Sequence, residues 1–291
     1  AAQFRDAVES DEALVLIDQE GGRVERLRPP RWRHMPPARV YGDLYLYDPE
    51  GARAAAFAGA RLTAADLHDA GITVNCTPVL DVPEAGSHDI IGDRAFSFDP
   101  DVVGDLGRAV VEGTLAGGVL PVIKHVPGHG RARADSHLAL PRIDASAEEL
   151  IEVDFRPFMA LCHAPLAMTA HVLLPAFDEK RPASVSPVIM GEVIRELIGL
   201  TGLVMSDDIG MKALGGSMGE RAGAVIDAGC DVALHCSGDF DEMREVARVV
   251  PPLEGDSAGR FAAAIAELVQ PQAFDVDQAL MLVREAGGSV A

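Results

Sequence analysis

Aromatic residues are scarce in this chain: 5% of its 291 residues, with a single tryptophan, Trp32. Platforms of stacked rings for sugars can therefore be few. Basic residues are outnumbered, 25 against 45 acids, which gives a formal charge of −20. A general nucleic-acid binder needs a basic face to neutralise phosphates, so that class is disfavoured. The charge favours solubility and says nothing about fold. Only four cysteines occur, Cys76, Cys162, Cys230 and Cys236, and none forms a C-x-x-C pair. Each lies in or beside an apolar run and reads as a buried, unpaired thiol, as a reducing cytoplasm would keep it. No apolar run reaches the roughly 20 residues of a membrane span, and no secretory signal opens the sequence. The expectation is a cytoplasmic protein with neither a membrane nor a nucleic acid as partner.

Apolar residues make up 48%, enough to bury a large core in one α/β barrel or two smaller domains. Short apolar runs, Ala13–Asp18, Ile72–Asp81, Leu120–His125, Ala167–Leu174, Leu203–Asp208 and Asp231–Cys236, read as strands. Helical patterns lie between them: Gly51–Ala70, Val102–Ala116 behind Asp99-Pro100, Ser146–Leu161 behind a capping box, Ser186–Ile198 and Glu220–Ala228. Strands separated by helices imply a parallel sheet. The tail reads as helices over Asp239–Val249, Ser257–Val269 and Asp277–Glu285, and Ala1–Ser10 is also helix-like. No linker divides residues 1–291, so one domain is expected. A closed (β/α)8 TIM-type barrel needs eight strands, and six are readable, so the N-terminal strands are apparently absent from this chain. An open doubly wound sheet needs no missing piece, but it concentrates its signature in one or two loops. Here almost every strand ends in polar residues, as expected of barrel strands converging on one mouth.

The densest chemistry is Lys124-His125-Val126-Pro127-Gly128-His129-Gly130, followed by Asp135-Ser136-His137. It follows an apolar strand, where scaffolds place function. His125, His129, His137 and His171 could hold Zn²⁺. Yet His125 and His129 share a face only on a helix, and Pro127 with two glycines disfavours one. In the acid/base reading, Asp135 lies close enough to His137 to set its tautomer and raise its basicity, on a loop able to move as lids do. Asp207 and Asp208 end another strand. Adjacent strand residues point to opposite sides, so Asp207 can enter the mouth and attack an electrophilic carbon, while Asp208 turns outward or caps the turn before Ile209-Gly210. Asp18, Arg23 and Arg26 follow the first strand, with Gly21-Gly22 allowing a sharp turn; they form a structural ion pair or a site for sugar hydroxyls. Arg94 alone reads as a solvated arginine.

Together and in this order the motifs resemble glycoside hydrolase family 3, in its single-domain bacterial branch. The likeness runs from Leu14 to Cys236. It rests on Asp18-Gln19-Glu20-Gly21-Gly22-Arg23-Val24, Pro78-Val79-Leu80-Asp81-Val82, Gly92-Asp93-Arg94-Ala95-Phe96, the histidine run, Thr169-Ala170-His171 and Ser206-Asp207-Asp208. The resemblance implies a retaining β-N-acetylhexosaminidase that removes terminal β-linked N-acetylglucosamine (GlcNAc) without metal or cofactor. Asp207 would be the nucleophile of a covalent glycosyl-enzyme. His137, oriented by Asp135, would replace the second carboxylate of most retaining glycosidases. Asp18, Arg26, Arg94, Lys124, His125 and His171 would hold the sugar. The implied substrate is a muropeptide carrying GlcNAc on anhydro-muramic acid, as in peptidoglycan recycling, or a chito-oligosaccharide. The alternatives are a GlcNAc phosphorylase, since a neutral base does not repel an anionic acceptor, a β-glucosidase, and a non-catalytic GlcNAc-binding barrel. Val126 departs from the aromatic or larger apolar residue often found in the family, which should affect packing alone.

Overall fold

The computed structural model describes residues 1–10, 13–133 and 139–290. Five short strands, β1 (Leu16–Ile17), β2 (Val74–Asn75), β3 (Leu120–Val126), β4 (Leu166–Thr169) and β5 (Leu203–Met205), form one parallel sheet in chain order. The register sets Leu16 opposite Val74, Val74 opposite Leu120, Val122 opposite Leu166, and Leu166 opposite Leu203. The sixth run, Asp231–Cys236, contributes a single parallel bridge from Val232 to Met205.

Ten α-helices accompany the sheet among the described residues: α1 (Ala2–Ala7), α2 (Arg39–Tyr45), α3 (Pro49–Asp69), α4 (Pro100–Ala116), α5 (Ala147–Glu149), α6 (Arg156–Ala160), α7 (Met218–Asp227), α8 (Phe240–Val249), α9 (Gly255–Ala266) and α10 (Val276–Glu285). Their starts follow the sequence chemistry. Asp99 accepts from the Asp101 amide with Pro100 in the first turn, and Ser146 and Ser217 complete capping boxes with Glu149 and Glu220. The expected single helix over Ser146–Leu161 is instead broken into α5, a π-helical stretch Leu150–Asp154, and α6. Pro157 has no amide hydrogen to continue the ladder there. Ser186–Ile198 likewise becomes a π-helical segment, Ile189–Leu197.

Alternation along the strands divides the core in two. Leu120 and Val122, with Val74, Leu166, Met168, Leu203 and Met205, form one apolar cluster, joined by Val232, Leu234 and by Phe261 and Ala264 of α9. The intervening Ile123, Ala167 and Val204 face the helices, in a larger cluster with α4 and α6. At the far end of the chain, Ala279 and Val283 of α10 pack with Leu62 of α3 and Met35.

Candidate active site

Continuing the strand alternation past the apolar cluster places polar residues on the same face. Leu16 leads to Asp18, Val122 to Lys124, Met205 to Asp207 and Leu234 to Cys236. Asp18, Lys124, Asp207 and Cys236 line one cleft of about 500 Å³, with Arg26, Arg94, His125 and His129. A cleft of this size suits a small ligand.

One side of the cleft is a buried ion network. The Lys124 Nζ lies 2.6 Å from Glu20 Oε1 and 3.0 Å from Asp18 Oδ1, with only 3% of its side chain exposed. Arg94 clasps both oxygens of Glu20 at 2.8 Å, and Arg26 reaches Asp18 at 3.2 Å. Burial alone would raise the Glu20 pKa, but Lys124 and Arg94 outweigh it and bring it down to about 2. Burial would likewise lower Lys124, yet Glu20 and Asp18 hold it above its ordinary value. Glu20 and Lys124 are therefore both charged at neutral pH. Gly21 permits this geometry: its φ is +102°, and a Cβ there would stand 2.4 Å from the Pro36 carbonyl oxygen.

The second side is organised by Asp81, whose side chain is fully buried. Its carboxylate lies 2.6 Å from His125 Nδ1 and accepts the His129 amide at 2.7 Å. Burial pushes Asp81 up, but His125 and His129 overcome this and keep it below the usual carboxylate range. An ionised carboxylate only accepts, so Nδ1 of His125 carries the shared hydrogen. Burial pulls His129 down to about 4 against the attraction of Asp81, so it is neutral at pH 7. Gly130 lets this segment lie against the chain after Asp81, since a Cβ there would be 2.1 Å from the Val82 carbonyl oxygen.

Asp207 lies between the two sides. Burial would raise it, but His125 and then His171 hold it low and ionised. Its Oδ1 accepts the Asp208 amide at 2.8 Å. Asp208 has the turn-capping role read from the sequence: Oδ1 accepts from the Gly210 amide at 2.9 Å and the Cys236 amide at 3.1 Å.

Of the residues singled out in the sequence, Asp18, Arg26, Arg94, Lys124, His125 and Asp207 share this cleft. His171 lies behind it, fully buried, with Nδ1 2.6 Å from Ser184 Oγ and Nε2 3.1 Å from the Asp208 carbonyl oxygen. Asp135 and His137 lie outside the described residues. Two readings are corrected. Arg94 is not solvated: its side chain is 12% exposed because Glu20 folds over it. Of the four cysteines expected to be buried, Cys162 is only half-buried and Cys236 is exposed at the cleft, because the last run leaves the sheet after one bridge. Sequence reasoning assigned no role to Glu20 or Asp81, although both stand in quoted motifs, Glu20 just beyond one strand run and Asp81 at the end of the next. Among the described residues no three His, Cys, Asp or Glu side chains converge as a metal-ligand set, and no helix is long and apolar enough to cross a membrane.

A parallel α/β sheet whose strand ends gather carboxylates and cations around a cleft sized for a small ligand has the layout of an α/β enzyme. The sequence matches the glycosyl hydrolase family 3 N-terminal domain over residues 3–268, and the chain belongs to that family and is a glycoside hydrolase. A beta-hexosaminidase of Methylobacillus flagellatus is 35% identical over 260 residues, 88% of this chain and 74% of the relative. NagZ of Neisseria gonorrhoeae, solved with N-trifluoroacetyl-D-glucosamine, superposes with a TM-score of 0.80 at 32% identity, covering 94% of this chain and 79% of that one. A family 3 β-N-acetylglucosaminidase from Paenibacillus superposes at 0.84 with 28% identity, covering 98% and 57%.

Proposed function

We propose that this chain is a retaining β-N-acetylhexosaminidase that releases terminal β-linked GlcNAc, working in the cytoplasm on muropeptides or chito-oligosaccharides. The observation that carries the reading is the convergence of ionised Asp207 with the Lys124–Glu20–Arg94 and Asp18–Arg26 network in one cleft. Asp18, Arg26, Arg94, Lys124 and His125 hold the hydroxyls and acetamido group, and His171 braces the backbone beside Asp207 from behind. Asp207 attacks the anomeric carbon as the bond to the aglycone oxygen breaks, and His137, oriented by Asp135, gives that oxygen its proton. Water then attacks the glycosyl-enzyme, His137 takes the water proton, and the sugar leaves with its β configuration restored. The domain spans residues 1–291, and the sheet is the greater part of a closed (β/α)8 barrel. Inner-face residues from β1 through Leu234 joining one cluster support that closure.

The test is GlcNAc release from a nitrophenyl glycoside, with the first-formed anomer followed by NMR, with and without phosphate. Hydrolysis with β product is expected, abolished in Asp207→Ala. A first-formed α-hemiacetal refutes retention, GlcNAc 1-phosphate formation identifies a phosphorylase, and binding without turnover identifies a sugar-binding protein. Faster release of glucose than of GlcNAc from the matching glycosides identifies a β-glucosidase.

A further inference from the structure

Arg131 stands directly after Gly130, three residues before the segment 134–138, and does not line the sugar cleft. Its Nε donates to Asp154 Oδ2 at 2.6 Å, and one terminal nitrogen lies 2.9 Å from Glu84 Oε2. Asp154 belongs to the π-helical stretch before α6 and its side chain is 1% exposed. Glu84 belongs to the loop after Asp81. One side chain thus joins three segments that sequence keeps far apart.

The surrounding contacts show what the clamp fixes. Asp81 and Val82 hold residues 125–130 from one side. The Asp154 side chain lies against Gly128, where a Cβ would come within 3.0 Å of its own Cβ. The buried Ala132 accepts from the His88 amide at 2.8 Å and donates to the His129 carbonyl at 3.0 Å. Beyond the segment, the Ile143 amide donates to Leu173 at 3.0 Å, and the Leu173 amide donates to Pro141 at 2.9 Å. Among the described residues Arg131 is the only cation paired with Asp154, whose other oxygen is buried without a hydrogen bond. Burial pushes the Asp154 pKa up to about 6 despite the pull of Arg131, so the carboxylate stays ionised at neutral pH through that contact.

We propose that Arg131, clamped between Asp154 and Glu84, is a positioning residue that sets where the chain leaves the cleft wall to carry its acid/base group to the leaving oxygen. The inference rests on the reading that His137 is that group. Arg131 touches neither sugar nor aglycone. It acts through the direction of the chain it anchors, and small misplacements of a proton donor cost rate steeply.

The experiment compares Arg131→Met, His137→Ala and the double variant on GlcNAc glycosides whose leaving groups run from dinitrophenol to a sugar alcohol. Arg131→Met should lower kcat/KM roughly tenfold for the poor leaving group and less than about threefold for the activated one, because protonation matters only for poor leaving groups. In the double variant the Arg131 effect should vanish, since a misplaced acid cannot be lost twice. Glu84→Gln, at the more exposed end of the clamp, should show the same leaving-group pattern at about two- to threefold and answers the question if Arg131→Met fails to fold. Equal losses on all leaving groups, or losses that add to those of His137→Ala, overturn the positioning role while leaving His137 in place. A His137→Ala variant with no leaving-group dependence overturns the acid/base reading itself, and this inference with it.

Discussion

Glu20→Gln tests the ion network most directly, because it removes one charge and almost no volume. Glu20 accepts from Nε and one terminal nitrogen of Arg94 and pairs with the Lys124 ammonium, with its side chain 8% exposed. Its pKa falls from 4.5 to about 2 on folding. That depression is worth about 3 kcal/mol of stability at pH 7, at about 1.4 kcal/mol per unit. The sign follows from the direction: a carboxylate with a lowered folded pKa stabilises above 4.5, and its contribution fades as pH falls towards 2. The variant should therefore be about 3 kcal/mol less stable than wild type at pH 7, but only about 2 kcal/mol less at pH 3.5, where wild-type Glu20 has lost part of its advantage. Urea unfolding followed by circular dichroism reads this as a lower midpoint with unchanged slope. A loss below about 1 kcal/mol at pH 7, or one that does not shrink with acid, would refute the claim that Lys124 and Arg94 depend on Glu20 for their burial.

Asp81→Asn presents an amide N–H where His125 now donates, so the imidazole must move its proton to Nε2; ¹⁵N chemical shifts should report the changed tautomer, and kcat/KM should fall roughly tenfold as one sugar contact inverts. His129 should titrate near pH 4 and stay neutral from pH 5.5 upward, which an NMR titration of its ring checks; a midpoint above 6 would contradict its burial. Asp231 accepts from Ser257 at 2.5 Å, Arg260 at 2.7 Å, Arg195 at 2.8 Å and the Val204 amide at 2.8 Å. Asp231→Ala should cost about 3–5 kcal/mol in urea unfolding, because two arginines lose their shared partner.

The sequence made the site legible wherever a strand ended. Asp18, Lys124 and Asp207 each follow an apolar run with the right parity, and alternation sends them to the same face as Leu16, Val122 and Met205. What stayed hidden depends on partners distant in sequence. Arg94 and Glu20 are 74 residues apart, and nothing local shows that either is buried. Asp81 stood in a quoted motif, but its task comes from His125 and His129, which lie on another strand end. The break within Ser146–Leu161 was foreshadowed by Pro157, yet the capping box at Ser146 satisfies helix-start rules whatever follows.

The two sides of the cleft are built by different means, and this gives them separable kinetic signatures. Asp18, Lys124, Glu20 and Arg94 form a row of alternating charges carried by β3 and the chain after β1 and β2. They are the residues proposed to hold the glycone, which is the same in every substrate, so damage there should slow all leaving groups alike. Residues 125–133 are held from outside the cleft, by Asp81, Asp154 and Glu84. They lead to the group proposed to meet the aglycone oxygen, so damage there should be graded by how much that oxygen needs a proton. Glu20→Gln and Arg131→Met are both losses of buried ion pairs, and melting curves alone would not tell them apart. Plotted against leaving-group pKa, the first should displace the line in parallel and the second should steepen it. Two parallel lines would mean that Arg131 does not position the group that protonates that oxygen.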